Sequence, residues 1–356
     1  MTRHEKQINE AVFLDLRKSS LELFSTEIAG ILHEIKWISA KLRKWTRPVA
    51  VRTNLVNLPG RSRVLIEPYG NTLIVGTWNY PFLLTVKPAV SALAAGNPVI
   101  IKPSEFSPHS SHILAEIIAS ALPPELCSVV EGGVLEVTEL LKLPFDKIFF
   151  TGSTNVGKIV MRAAADNLSA LTLELGGKSP AFVLPDAVQP VTARRIAWGK
   201  FLNAGQTCVS PDFILVHESV AENLIDNLAA QVLSMFGPIL PVIPYSNLQD
   251  AVNQIRSLPK ALSLYVFTQS RKERDTIVSG ISFGGGCVND TVMQIANPYL
   301  PFGGVGSSGH GRYHGKAGIL EFSNQKSMIY KATWIDPFIR YPPFTGFKEK
   351  ILRKLL

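Results

Sequence analysis

Short apolar segments alternate with helical segments from Thr72 onward, and this alternation limits the fold more than any other feature of the chain. The sequence predicts buried strands at NTLIVGTW, PVIIKPS, CSVVEG and DKIFFTGS, with helices at residues 81–95, 110–122 and 156–166. Strands and helices in this order are typical of βαβ units and a parallel sheet. We therefore predict an α/β fold with a parallel sheet in a 3-2-1-4 type of strand order and helices on both faces.

The remaining segments extend this pattern at both ends. Residues 1–46 predict helices, and further strands are predicted at LTLELGG, SPAFVL, PILPVI and LSLYVFT. Ser219 and Glu222 form the pattern of a capping box, which predicts a helix over residues 219–233. The stretch RSRVLIE, residues 61–67, predicts a lone strand outside the alternation. Because a lone strand leaves backbone groups unpaired, we expect a second copy of the chain to cover it by strand addition in a homodimer.

Composition narrows the functional classes. The chain has 356 residues, 46% of them hydrophobic and 18% charged, which is typical of a globular protein with a substantial core. The net charge is +8, but Lys and Arg are scattered along the chain, so we expect no nucleic-acid partner. The basic end, FKEKILRKLL, predicts a surface helix, and membrane contact is the less favoured alternative.

The cysteines indicate a reducing compartment. Cys127, Cys208 and Cys287 are odd in number and widely spaced, so neither a disulfide framework nor a metal site is predicted. The N-terminus lacks the apolar run of a signal peptide. No stretch reaches the roughly 18 apolar residues of a membrane span. These features favour a cytoplasmic protein.

Three residues are candidates for catalysis. Cys208, in AGQTC, follows a predicted helix and a glycine, which suits an exposed nucleophile, although a lone cysteine is more often a small buried hydrophobe. Glu174 ends an apolar strand before two glycines, where burial raises a carboxyl pKa and suits it to general-base work; a structural salt bridge is the alternative. The amide of Asn79, in WNYP, can donate to an oxyanion, but this pattern also suits a turn.

Two other segments are candidates for cofactor binding. Lys102 and Glu105, in IIKPSE, follow a predicted strand, and ligands of open α/β sheets bind beyond the carboxyl ends of strands. Solvated charges at a strand end are the alternative interpretation. The segment GSTNVG, residues 152–157, joins a strand to a helix whose N-terminus favours phosphate. It lacks the GxGxxG spacing and is weak evidence alone.

Together these motifs resemble a known family. WNYP, IIKPSE, FFTGSTNVG, LELGGKSP, GQTC, FGP and PFGG occur in the order found in the aldehyde dehydrogenase superfamily, from Trp78 to Gly304. RRIAWGKFLNAGQTC and SSGHGRYHGKAGILEFSNQKS are most similar to its class 3, fatty-aldehyde branch. The resemblance covers nearly the whole chain.

The resemblance implies a reaction and a role for each motif. Cys208 is the implied nucleophile, Glu174 the base that hydrolyses the thioester, and Asn79 the side-chain donor of the oxyanion hole. The implied reaction is the oxidation of apolar aldehydes to acids with NAD or NADP. The implied cofactor-binding residues are Trp78, Lys102, Glu105, Gly152, Ser153, Gly157 and Phe236.

The resemblance also implies an organisation. We predict a dinucleotide-binding domain over residues 1–173, a smaller catalytic domain over 174–309 and a docking tail over 310–356. Residues 47–69 and the tail correspond to the oligomerisation element of the family, which implies a homodimer. No metal is implied.

One segment departs from the family pattern. Only 27 residues separate Cys208 from Phe236, where the family has several dozen, and Ser234 replaces the glutamate of the Glu-x-Phe-Gly-Pro motif. The resemblance therefore implies that a strand and helices of the catalytic domain are deleted, which we expect to expose apolar surface. Two alternatives stay open: an enzyme whose remaining elements close around the site, or a catalytically impaired binding or dimerisation partner.

Overall fold

The computed structural model describes residues 1–232 and 239–355. Two parallel sheets and one small antiparallel sheet form its framework. The strands are β1 Val49–Val51, β2 Arg61–Pro68, β3 Thr72–Val75, β4 Val99–Lys102, β5 Cys127–Val129, β6 Lys147–Gly152, β7 Ala170–Leu175, β8 Pro180–Val183, β9 Phe213–His217, β10 Val242–Tyr245, β11 Ser263–Phe267, β12 Gly285–Val288, β13 Gly309–His310 and β14 Ser323–Tyr330. The helices are α1 Glu5–Leu16, α2 Ser20–Leu23, α3 Ala29–Trp45, α4 Leu83–Ala95, α5 Pro108–Ala121, α6 Val134–Lys142, α7 Thr154–Asp166, α8 Pro190–Phe201, α9 Ala221–Val232, α10 Leu248–Ser257, α11 Arg271–Gly280, α12 Gly315–Glu321 and α13 Gly346–Leu355.

The first sheet has the strand order β13-β7-β6-β3-β4-β5, and only β13 is antiparallel to its neighbour. The chain starts at central β3, moves outward through β4 to β5, and then crosses to β6 and β7. This arrangement confirms the predicted 3-2-1-4 type of order. It leaves a crevice between β3 and β6 at the carboxyl edge of the sheet, where ligands of such sheets bind.

Helices cover both faces of this sheet because alternate strand residues point to opposite sides. Ile74 and Phe149 pack with the N-terminal helices, α4 and α5. Leu73 and Ile148 pack with α6 and α7 on the other face. Fully apolar strands such as β3 are expected when both faces are covered.

The second sheet has the order β10-β9-β8-β11-β12, and all of its strands are parallel. Helices α8 and α9 cover one face, and α10 and α11 cover the other. The chain passes from the first sheet to the second between Leu175 and Pro180. This passage lies just beyond the predicted domain boundary at residue 174, so Glu174 itself belongs to the first sheet.

The third sheet joins the segments predicted to act in oligomerisation. Strand β2 pairs with β1 on one side and with β14 of the C-terminal tail on the other, both antiparallel. The predicted lone strand is therefore paired within its own chain. Most residues of β14 are nevertheless exposed.

Two local predictions differ from the structure. The capping box at Ser219 is wrong: α9 begins at Ala221, and the Ser219 hydroxyl forms a hydrogen bond with His217 Nδ1 at 2.8 Å. His217, two residues earlier at the end of β9, takes up that hydroxyl, which the spacing rule does not consider. Helix α6 was not predicted.

Among residues 1–232 and 239–355, no helix is long and apolar enough to cross a membrane.

Candidate active site

A cleft of about 410 Å³ lies at the carboxyl edge of the first sheet, where β3 and β6 diverge. The loop that precedes Cys208 closes it from the side of the second sheet. The cleft is lined by Thr77, Trp78, Asn79, Leu84, Thr151, Gly152, Ser153, Glu174, Leu175, Gly176, Gly205, Gln206, Thr207, Cys208, Leu262 and Phe302. It therefore brings together all three predicted catalytic residues, which lie far apart in the sequence.

Cys208 lies at the end of a strained loop that follows α8. Asn203, Ala204 and Gly205 have φ values of 53°, 53° and 80°, so three consecutive residues adopt the left-handed region. Non-glycine residues there cost of order ~1–3 kcal/mol each and persist where surrounding contacts hold them. Burial and the nearby Glu174 carboxylate raise the pKa of the Cys208 thiol to about 12.

Asn79 bridges from the first sheet to this loop. Its side-chain Nδ2 donates to the carbonyl of Gln206 at 2.8 Å, two residues before Cys208. An amide nitrogen carries two hydrogens, so a second N–H is available to a ligand. This placement agrees with a role in stabilising an oxyanion formed at Cys208.

Glu174 lies in β7, facing the cleft, with only 4% of its surface exposed. Burial raises its pKa to about 8; Arg312 opposes the shift, and Glu321 adds to it. A carboxyl group with such a pKa exists in both protonation states near neutral pH, which suits it to general acid–base work.

Three buried polar atoms lining the cleft have no hydrogen-bond partner within the described parts of the chain: Asn79 Oδ1, Thr151 Oγ1 and Glu174 Oε1. Buried polar atoms are normally satisfied, because an unpaired one costs free energy. Three in one cleft therefore indicate a site built for a polar ligand. A dinucleotide with an aldehyde fits this requirement.

The predicted residues around α7 divide into two groups. Gly152 and Ser153 line the cleft, and Ser153 caps α7 by accepting from the Val156 N–H. The start of α7 thus provides backbone N–H groups that suit a phosphate. Gly157 does not line the cleft, and it has a packing role, since a Cβ there would lie 2.6 Å from Leu175 Cδ2. Its hydrogen side chain lets α7 approach β7.

Lys102 and Glu105 lie together at the end of β4, with 3.8 Å between Lys102 Nζ and Glu105 Oε2. Neither lines the cleft. Lys102 is buried and donates to the Pro103 carbonyl at 2.6 Å, and burial lowers its pKa. Both residues lie at the carboxyl end of a strand, where ligands of such sheets bind. Their contact with the cofactor ribose stays a prediction. Phe236 and Ser234 lie outside the described residues.

Comparison with known proteins settles the family. A model described as "Aldehyde dehydrogenase family" matches residues 1–236 and 233–328. The chain belongs to the aldehyde dehydrogenase family. This assignment confirms the resemblance noted in the sequence, together with the predicted activity, NAD(P)-dependent oxidation of aldehydes. The family match is divided into two parts that meet at residues 233–236.

Curated relatives include members of family 3 of the aldehyde dehydrogenases. The chain is 39% identical to the 4,4'-diaponeurosporen-aldehyde dehydrogenase of Staphylococcus aureus over 409 residues, covering 96% of this chain and 89% of the relative. It is 38% identical to family 3 member A2 of Pongo abelii, covering 95% and 84%. It is 35% identical to the dimeric NADP-preferring aldehyde dehydrogenase of Canis lupus familiaris, covering 96% and 90%. The class 3 resemblance is therefore confirmed.

A solved structure supports the same fold. The substrate-bound state of Staphylococcus aureus AldH superimposes with a TM-score of 0.95 at 38% identity, covering 99% of this chain and 91% of that chain. The α/β aldehyde dehydrogenase architecture is thus confirmed.

Several lining residues of this aldehyde dehydrogenase were not predicted as site residues. Phe302 belongs to the PFGG motif, which carried the family resemblance but had no role assigned. It stacks on His314, with ring centroids 5.3 Å apart. Leu262 and Thr151 belong to ordinary strand patterns and gave no signal. Within residues 1–232 and 239–355, no cluster of His, Cys, Asp and Glu is suited to hold a metal ion.

Proposed function

We propose that this aldehyde dehydrogenase oxidises apolar aldehydes through a covalent intermediate on Cys208, with Glu174 as base and Asn79 as oxyanion donor. The observation that carries the proposal is the convergence of these three residues in one cleft whose buried polar atoms lack partners.

The first step is addition of the Cys208 sulfur to the aldehyde carbon. The thiol holds its proton in the resting site because its pKa is raised to about 12, whereas the pKa of Glu174 is about 8. This difference keeps the proton on the resting thiol, so the Glu174 carboxylate accepts it only as the C–S bond forms and makes the S–H group more acidic. The aldehyde oxygen becomes an oxyanion, which the Asn79 side chain stabilises.

Oxidation and hydrolysis follow. A bound nicotinamide ring would supply the hydride acceptor needed to convert the thiohemiacetal on Cys208 to a thioester. Glu174, after releasing its proton to solvent, then takes a proton from water as that water attacks the thioester carbon. The C–S bond breaks, the carboxylic acid leaves, and Cys208 regains a proton. Trp78, Gly152 and Ser153 would hold the cofactor in this cleft.

Apolar side chains in the cleft support an apolar substrate. Leu84, Leu175, Leu262 and Phe302 line it together with the polar groups. Burial of apolar carbon stabilises binding by about 25 cal/mol per Å² of surface removed from water. We expect aldehydes with longer hydrocarbon chains to have lower KM values.

We also propose a homodimer formed through the third sheet. Strand β14 and the exposed side chains of Leu55, Trp334 and Phe338 leave much apolar surface in solvent. The canine relative is named as dimeric and NADP-preferring, which supports a dimer and use of NADP beside NAD. The free cysteines favour a reducing compartment, the cytoplasm. Light scattering at micromolar concentration tests assembly, and a stable species near 39.0 kDa would contradict it.

The proposed catalytic role is tested by cofactor reduction with a medium-chain aldehyde. We expect turnover by the wild type and by Cys287→Ala, a matched control because Cys287 is also partly exposed but lies outside the cleft. We expect Cys208→Ala to reduce no cofactor above background. Equal rates for Cys208→Ala and the wild type would end the assignment. No turnover by the wild type, with no NAD or NADP binding in calorimetry, would favour the impaired dimerisation partner.

A further inference from the structure

The strained loop before Cys208 is held by residues from the other end of the chain. Asn203 and Ala204 adopt left-handed backbone conformations that glycine, but not other residues, adopts without cost. Such conformations persist only where neighbouring groups fix them. The groups that fix this loop therefore also fix the position of the Cys208 backbone and of the Asn79 amide bonded beside it.

The first of these contacts comes from α2. Glu22 Oε1 accepts a hydrogen bond from the backbone N–H of Asn203 at 2.7 Å, across 181 residues of sequence. The Asn203 side chain continues the chain of contacts, since its Nδ2 donates to the backbone carbonyl of Asn79 at 2.8 Å. In this chain of hydrogen bonds, only Asn203 stands between Glu22 and Asn79, the proposed oxyanion donor.

The second contact is a buried ion pair beneath Asn79. Lys18 Nζ lies 2.8 Å from Glu27 Oε1, and both side chains are almost completely buried. The same ammonium donates to the Asn79 carbonyl at 3.4 Å and lies 4.3 Å from the centre of the Tyr80 ring. A buried ion pair is costly unless its remaining hydrogen-bonding groups are satisfied.

Glu27 satisfies that condition by capping α4. Its second oxygen, Oε2, accepts from the backbone N–H groups of Phe82 and Leu83 at 3.0 and 3.1 Å. These residues begin the helix that follows the Asn79 loop. The Lys18–Glu27 pair therefore fixes the Asn79 loop at its centre and at its far end. Glu22 fixes the loop that precedes Cys208.

We propose that Lys18, Glu22 and Glu27 form a brace that positions the oxyanion site of Asn79 and Cys208, so that the N-terminal helices act on catalysis as well as on folding. The three are positioning residues, because none of them lines the cleft. The inference rests on the proposed function of Asn79, and the experiment separates the two.

Glu22 offers the cleanest test because it is only half-buried, whereas truncating Lys18 or Glu27 would leave an unpaired buried charge. In Glu22→Ala we expect kcat to fall on the order of tenfold or more, since small misplacements of catalytic groups are costly. The KM for the cofactor should change little. Glu22→Gln keeps an acceptor oxygen and should restore most of the rate. Glu10→Ala, an exposed glutamate on α1, serves as control.

A double-mutant cycle distinguishes positioning from general stability. If Glu22 acts through Asn79, then Glu22→Ala should lower kcat by less than about twofold in an Asn79→Ala background, because coupled residues are not additive. A thermal melt of each variant gives its midpoint of unfolding. Activity is then assayed well below that temperature, which excludes unfolding as the cause.

Two results would overturn the inference alone: a kcat for Glu22→Ala equal to that of Glu10→Ala, or a fully additive loss in the double variant. A Glu22→Gln variant as slow as Glu22→Ala would also count against positioning by this acceptor. If Asn79→Ala itself keeps the wild-type kcat, the oxyanion assignment fails and the inference falls with it.

Discussion

Two regions of the molecule follow the family pattern to different degrees: the nucleophile side of the cleft and the segment after α9. The nucleophile side is fixed by hydrogen bonds that run from Glu22 through Asn203 to Asn79. The second region is the segment after α9, where the two parts of the family match overlap at residues 233–236 and Ser234 stands where the family motif has a glutamate.

Exposed apolar side chains border this second region. Ile239 is 87% exposed and Ile243 is 37% exposed, at the start of the edge strand β10. This exposure supports the predicted deletion. The alignment with one relative supports it too, because it extends over 409 residues although this chain has 356. The residues proposed for the chemical step and the segment that departs from the family pattern lie apart in the sequence, so a change in one need not affect the other. We therefore expect an intact chemical step and weakened cofactor binding.

The largest expected effect is that of Glu174→Gln. Removing the base should lower kcat by about 10²–10⁴-fold, the usual contribution of general-base catalysis. Steady-state cofactor reduction measures it, with the exposed Glu125→Gln as control. A loss no greater than that of the control would show that Glu174 is structural.

Asn79→Ala should have the next largest effect. Loss of one oxyanion donor typically lowers kcat by ~10²–10³-fold. The KM for the cofactor should stay within a small factor of the wild type, because the change lies on the nucleophile side. Asn253→Ala, on the exposed face of α10, is the control. An effect confined to KM would assign Asn79 to binding instead.

The pH profile should follow the ionisation of Glu174. Only its carboxylate form acts as base, and its pKa is raised to about 8, so kcat should rise with pH and level off above about 8. Below that pH the slope should approach about tenfold per unit. Arg312 lowers this pKa, so Arg312→Gln should move the rise to higher pH. A profile that is flat from acid pH upward would contradict the assignment.

Much of this arrangement was predictable from local sequence patterns. Glu174, Asn79 and Cys208 were found because a charged, amide or thiol group next to glycine or proline interrupts an apolar strand or helix. Parallel strand ends meet at one edge, which places the first two together. The packing role of Gly157 against Leu175 was not predicted, since spacing does not distinguish helix packing from ligand approach.

The brace could not be predicted in this way. Glu22 and Asn203 are 181 residues apart, and nothing in their own neighbourhoods marks them as partners. Lys18 and Glu27 lie on charged helical segments that favour solvent exposure, yet the fold buries both. Long-range contacts between ordinary polar residues are visible only in three dimensions.

The smallest expected effect concerns Ser234, in the segment after α9. Ser234→Glu restores the glutamate of the family motif, which the resemblance implies is a ligand of the cofactor ribose. It should tighten cofactor binding by about tenfold, because one hydrogen bond to a charged group contributes ~1.5 kcal/mol. Ser234→Ala should bind as the wild type does. Calorimetric titration with NAD and NADP measures both. If Ser234→Glu bound no more tightly, the loss of affinity would have to come from the missing segment instead.

The central claim is that catalysis proceeds through an acyl group on Cys208, and trapping that group tests it most directly. Wild-type protein is mixed with aldehyde and NAD, quenched with acid within the first turnover, digested and weighed by mass spectrometry. We predict an acyl adduct on the peptide that contains Cys208, dependent on both aldehyde and cofactor, and retained in a Cys287→Ala background. An adduct on Cys127 or Cys287, or none on Cys208 while the cofactor is being reduced, would contradict the proposed mechanism.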